Sequence, residues 1–236
     1  MKLYYDDSKK VSETKIEEII DIQGIKPAWY NNLTIYFNGF NKLYDYVKEH
    51  GFKGFLGSYP PLTAKVCPSF LHMFKNKIAL VRSPCDMIIE TKGRDVFYTS
   101  SNTDLFLEQH PFQQAPGLAD NNLILKFIIP IDIGLSEKDT VVYLDNILHE
   151  NTPFRPCPGV MSGLSKNNPT RLHIISFLPF HEDKKVYEIK KGTVLGVLLF
   201  NKELTGLKKA DFEKYSNARF AGNSKFVGSN TKKWLQ

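Results

Sequence analysis

Six histidines and three cysteines have the widest chemical repertoire in this sequence, and their spacing decides what they can do. Neutral imidazole is a common transition-metal ligand. Neither HxH nor HxxxH occurs among His50, His72, His110, His149, His173 and His181. The nearest ligand-like cluster is His149-Glu150, whose adjacent side chains point apart in extended chain. An oxygenase-type facial triad would have to be assembled from distant residues, for example His110, His149 or His173 with a carboxylate. The ordinary alternative, imidazoles satisfied by backbone carbonyls or exposed in loops, is favoured for each one. No metal ligand is assigned.

The nucleophiles are equally unsupported. Cys67, Cys85 and Cys157 cannot all pair with one another and form no CxxC, so they read as buried thiols rather than a disulfide scaffold or zinc ribbon. Cys67 precedes Pro68, a good first-turn residue, but it has no local base, and Val66, Phe70 and Leu71 make an apolar surrounding that suppresses ionisation. Gly163-Leu164-Ser165-Lys166-Asn167 lacks the closing glycine of a nucleophile elbow. Neither GxxxxGK[ST] nor GxGxxG is present; Gly51, Gly54 and Gly57 beside Tyr59-Pro60-Pro61 signal an irregular loop. Catalytic residues and cofactors are therefore both read as none.

Residues suited to contact are more numerous. Glu108-Gln109-His110-Pro111-Phe112-Gln113-Gln114 is dense in hydrogen-bonding side chains around a proline, as a recognition loop is, which singles out His110, Gln113 and Gln114. Trp29 and Tyr30, and Trp234 next to Lys233, combine large apolar area with a polar handle. The formal charge of +6 is concentrated past residue 200, where Lys202, Lys208, Lys209, Lys214, Arg219, Lys225, Lys232 and Lys233 face only Glu203, Asp211 and Glu213. Lys208, Lys209, Lys232 and Lys233 thus offer a positive surface to an acidic protein or to nucleic acid. The bland reading of the same run is a solvated chain end.

These residues need elements to hold them. Helical spacing is expected near 13–22, where Thr14 and Glu17 have capping-box spacing, over 40–49 ahead of Gly51, from Pro68 to Phe74, and near 207–216. Between them lie short β-prone runs: 78–81, 87–89, 96–98, 123–129, 140–144, 172–178 and 194–200. Pro130, Pro153, Pro156, Pro158, Pro169 and Pro179 are expected at the ends of runs, where a missing amide costs no ladder hydrogen bond. The links are too short for crossover helices, so the expected fold is mainly β, an antiparallel jelly-roll or β-clip-like barrel with a few peripheral helices. Three parts are expected: a partly helical approach segment over 1–60, a β-rich core over 61–201 and a basic tail with a short helix over 202–236. No apolar run reaches the roughly 18 residues of a membrane span, Leu123 to Pro130 being broken by Lys126, and the first residues lack a secretory signal.

Two resemblances add to this. Ile25-Lys26-Pro27-Ala28-Trp29, Thr63-Ala64-Lys65-Val66-Cys67-Pro68-Ser69-Phe70, Ser83-Pro84-Cys85-Asp86, His110-Pro111-Phe112-Gln113-Gln114 and Ile189-Lys190-Lys191-Gly192-Thr193 resemble, in this order, a family of uncharacterised proteins of tailed phages, notably phages of marine cyanobacteria. The resemblance implies a viral origin and no particular chemistry. Pro158-Gly159-Val160-Met161-Ser162 and Lys191-Gly192-Thr193-Val194-Leu195-Gly196-Val197-Leu198 are similar in order to the closing strands of the dUTP pyrophosphatase and dCTP deaminase superfamily. There the family's water-activating aspartate is matched by Ser162, which cannot act as a general base at neutral pH, and its final-strand glutamine by Val197. The resulting expectation is a non-enzymatic phage-encoded binding or structural protein, a virion component or infection-stage factor in the host cytoplasm. Its expected partner is protein, either self or another phage or host protein, with nucleic acid reachable through the basic tail and no membrane. The alternative is an enzyme on a β scaffold, a dUTPase-like nucleotide hydrolase relative or a metal-dependent jelly-roll oxygenase.

Overall fold

A computed structural model describes residues 1–23, 77–110, 120–146 and 152–212. Strand β1 (Lys2–Asp6) is followed by the short helix α1 (Ile16–Ile19), then β2 (Ile20–Asp21), β3 (Ile78–Arg82), β4 (Met87–Lys92), β5 (Asp95–Ser100) and β6 (Phe106–Gln109). Next come β7 (Asn122–Leu135), β8 (Asp139–Leu144), β9 (Arg155–Pro156), β10 (Gly159–Leu164), β11 (Thr170–Pro179), β12 (Lys185–Ile189), β13 (Val194–Phe200) and β14 (Gly206–Lys209). All seven expected runs are strands. The fold is mainly β, and its pairings are antiparallel except β1 with β14. No barrel closes among the described residues. The strands form three open sheets: six-stranded β14-β1-β7-β11-β9 with β6 also on β7, five-stranded β10-β8-β13-β3-β2, and three-stranded β12-β4-β5.

The two larger sheets share one apolar core, because alternate residues of each strand turn to the same side. Leu123, Leu125, Phe127, Ile129, Ile131 and Ile133 of β7 and Leu172, Ile174 and Leu178 of β11 are fully or almost fully buried, together with Leu195 and Leu198 of β13. His173, Ile175 and Phe177, on the other side of β11, are half-buried, so both faces of that strand are covered, as the apolar alternation predicts. The sheets approach closely where Gly196 of β13 meets Ile174 of β11: a Cβ at Gly196 would lie 2.9 Å from Ile174 Cδ1.

Pro130 corrects one expectation, since it stands inside the 14-residue strand β7 rather than at its end. The ladder explains why it is tolerated. On one edge β6 pairs with β7 only through Ile128, and β1 takes over only from Asp132. On the other edge the β11 register shifts between Arg171 and His173, opposite Asp132 and Ile128. Neither neighbour asks the proline for an amide.

The helix expectations fare differently. The first shrinks to Ile16–Ile19: Thr14 is not its cap, and its hydroxyl instead donates to the Pro84 carbonyl at 3.5 Å. The last is a strand over its first residues, because β14 pairs with β1 from Lys2–Gly206 to Tyr5–Lys209. Those over 40–49 and 68–74 lie outside the described residues. β1 and β14, from outside the expected boundaries at 60 and 202, lie side by side in the six-stranded sheet, and Leu204 and Phe212 are buried.

Gly196→Ala is expected to cost about 1–3 kcal/mol by overpacking. Adding Ile174→Val, which removes the nearest methyl, should return part of that loss, and urea unfolding of the single and double variants measures the coupling.

Candidate functional site

His110 follows β6, and its amide donates to the Ile124 carbonyl at 2.8 Å. Burial pushes its imidazole below the usual range, Lys126 adds to this, and Glu108 opposes it. His173 on β11 places Nδ1 2.9 Å from the Arg171 carbonyl, which fixes that nitrogen as the donor. Burial holds His173 neutral against this bond, with Lys126 and His110 acting the same way, and the Tyr143 ring lies 6.2 Å from it. Among the described residues no three His, Cys, Asp or Glu converge as a metal site. His149 lies outside them. His181-Glu182-Asp183, an HxD spacing, is exposed on the turn into β12.

Lys208 and Lys209 belong to β14 and meet their own chain. Lys209 pairs with Asp7 at 2.6 Å, and Lys208 sits 5.9 Å over the Tyr4 ring, which Lys166 also approaches at 5.2 Å. Trp29, Tyr30, Gln113, Gln114, Lys232, Lys233 and Trp234 lie outside the described residues, as does Cys67. Cys85 is buried and Cys157 half-buried, and burial raises both thiols away from reactivity. Ser162 is exposed on β10, and Val197 is buried on β13.

The buried acids, which spacing did not reveal, are committed to holding the chain. Asp104 is fully buried and accepts the Val11 amide at 2.6 Å and the Ser12 amide at 2.7 Å, which clamps the N-terminal loop to the segment before β6. Asp6, Asp132 and Arg171 form one row across β1, β7 and β11. Arg171 Nε is 2.5 Å and Lys9 Nζ 3.5 Å from the Asp132 carboxylate. Burial would raise the Asp6 carboxyl, but the Ser8 amide and hydroxyl, the Phe212 amide and the Lys9 charge outweigh it, leaving it below its ordinary range. Cross-strand neighbours of like charge repel. Here the guanidinium and the amides absorb both.

What remains exposed and organised is the outer face of the three-stranded sheet. Its inner side buries Met87, Ile89 and Ile189 in the common core, so alternation turns Ile88, Glu90, Phe97, Val186 and Glu188 outward. Val186, Glu90 and Phe97 share one cross-strand row, and Glu188, Ile88 and Thr99 the next. Phe97 is 64% exposed, Val186 58% and Ile88 46%, and their charged rim is paired, Lys184 with Glu90 at 2.7 Å and Lys190 with Glu188. Three large apolar side chains thus stand on one solvent-facing sheet face. The signal was present in the alternation of Met87-Ile88-Ile89, but only pairing with β12 and β5 shows which side faces water. Beside the sheet, a cleft of about 450 Å³ lined by Ser12, Thr14, Asp86, Ser101, Asn102 and Lys191 is polar, and its Asp86 already accepts the Lys191 amide at 2.7 Å. No helix among the described residues is long and apolar enough to cross a membrane.

No protein-family model matches the chain, and no curated protein matches it.

The neutral His173 gives a pH dependence. Its folded-state pKa lies below the ordinary histidine value of 6.5, so its contribution to stability is complete above that pH and is lost as pH falls below it, where the unfolded chain takes up the proton first. The melting temperature of the protein should therefore drop between pH 7 and pH 5, and His173→Asn, whose side-chain amide stands where Nδ1 does, should flatten that slope.

Proposed function

We propose that the chain is a non-enzymatic, phage-encoded binding or structural protein, present in the virion or acting in the host cytoplasm during infection, and that it works by contact with another protein. The observation that carries this reading is the outer face of the three-stranded sheet, where Ile88, Phe97 and Val186 stand in water while their charged neighbours are already paired. Burying what is still exposed of these side chains against a partner gains a part of the about 1.5–3 kcal/mol that full burial of each is worth. The ordering of phage-like segments along residues 25–193 supports the viral origin. The groups best able to do chemistry in the described residues serve the fold instead: Asp104 and Asp132 hold backbone and guanidinium, and His173 is neutral and bonded to a carbonyl.

Mass spectrometry of purified virions, and of material co-purified with the protein from infected cells, tests the proposal. A fixed copy number in particles, or one stoichiometric protein partner, is expected. A double variant Ile88→Lys, Val186→Lys, whose substitutions are solvent-facing and so should shift the melting temperature little, should lose that association at least tenfold. Retention of the partner by the double variant overturns the assignment to this face. Stoichiometric iron in the purified protein, or thermal stabilisation by deoxynucleotides, overturns the non-enzymatic reading.

A further inference from the structure

The three-stranded sheet also ends in an unguarded edge. Exposed edges template pairing with another chain, and proteins blunt them with short length, lysine, proline or bulges. Among the described strands the other edges carry such devices. β2 and β9 are two residues long, and β6 and β14 are four, with Lys208 and Lys209 on the latter. β10 is interrupted by a register shift between Met161 and Leu164. β12 carries Lys185 and Glu188, with Lys184 and Lys190 at its ends.

β5 carries none of them. Asp95-Val96-Phe97-Tyr98-Thr99-Ser100 contains no lysine, no proline and no bulge, is rich in β-branched and aromatic residues, and among the described residues pairs along one side only, with β4. The turn Gly93-Arg94, with Gly93 at φ 56°, closes the hairpin on the pair Lys92–Asp95. A two-residue hairpin turn makes that a hydrogen-bonded pair, and the alternation of antiparallel ladders then turns the amides and carbonyls of Val96, Tyr98 and Ser100 to the open side. β6 approaches this strand at the turn, where Gln109 Nε2 donates to the Arg94 carbonyl, but its ladder runs to β7.

We infer that this edge pairs with the same edge of a second copy, β5 to β5 and antiparallel, about a two-fold axis through Tyr98. Charge selects this occupant. Asp95 is the single charge on the strand, and in this register it falls opposite Ser101 of the second copy, so no like charges meet. Self-pairing of β12 about its middle would set Lys184 against Lys190 instead. Val96 then shares hydrogen bonds with Ser100 of the second copy, and Tyr98 with its own counterpart. On the outer face Phe97 lies beside Thr99 of the second copy, an aromatic with β-branched pairing that favours the ladder. The two-fold uses up both open edges, so the assembly closes as a dimer with one six-stranded sheet rather than growing into a fibre. The apolar faces of the two copies become one surface.

This deepens the binding reading by naming one partner, and the two can fail separately. Sedimentation of the full chain over a range of concentrations is expected to show a reversible monomer–dimer equilibrium. Thr99→Lys, on an exposed position, should weaken the dimer at least tenfold while leaving the melting temperature of the monomer in place, and Ser100→Pro, which removes one outward amide, should do the same. Hydrogen exchange should show Val96, Tyr98 and Ser100 gaining protection as concentration rises, with β12 unchanged. A monomer at every concentration, a dimer indifferent to both variants, or protection appearing on β12 overturns the inference. Val186→Lys, at the far strand, should leave the dimer intact, so loss of a virion or host partner in that variant reports on the outer face alone.

Discussion

Burial of β7 on both faces is the constraint from which the rest of the architecture follows. Its inward residues Leu123, Leu125, Phe127, Ile129, Ile131 and Ile133 fill the space between the two larger sheets, and its outward residues Ile124, Ile128 and Asp132 are covered as well. Each such apolar side chain is worth about 1.5–3 kcal/mol of transfer free energy, and β7 buries more of them than any other strand among the described residues. A strand so enclosed must have partners on both edges, since an unpaired amide in the interior costs about 1–3 kcal/mol. β6, β1 and β11 supply them. Pro130 occupies the only kind of position where a proline is harmless in such a strand, at the handover between two neighbours on one edge and at a register shift on the other. That handover also seats the first strand beside β7, with the last described strand on its outer edge.

An acid in the outward row of β7 forces a second commitment. Asp132, flanked by isoleucines and 3% exposed, would be intolerable alone, because an isolated buried charge costs far more than a domain can spare. Arg171 is opposite it by register, and Lys9 reaches it from the loop after β1. Asp104 solves the same problem with two backbone amides. These groups explain why ionisable side chains that look available for chemistry serve as fasteners: each reaches its partner through strand register or loop closure.

The three-stranded sheet obeys the opposite rule. One face contributes to the core and the other meets water, so it carries the alternation of a sheet covered on one side. Ile88, Phe97 and Val186 break that rule on the solvent side, and the composition of β5 breaks the usual protection of an edge. Both departures lie on the same three-stranded sheet, and the proposed role in contact rests on them.

The sequence by itself determined seven of the fourteen strands among the described residues. β-branched and aromatic runs at 78–81, 87–89, 96–98, 123–129, 140–144, 172–178 and 194–200 carry local preference enough to be recognised, and each is a strand. It also marked His110 and the basic residues past 200, though not their surroundings. β1, β12 and β14 went unread because Lys2–Asp6, Lys185–Ile189 and Gly206–Lys209 are short and half polar, and such segments become strands only when a neighbour offers a ladder. Lys208 and Lys209 looked like a tail because their partners, Tyr4 and Asp7, are some two hundred residues away in the chain. The tertiary structure alone decided which face of the β4–β5 hairpin is wet, which acids are buried and which edge is left open, since burial, register and pairing belong to strands brought together from distant parts of the chain.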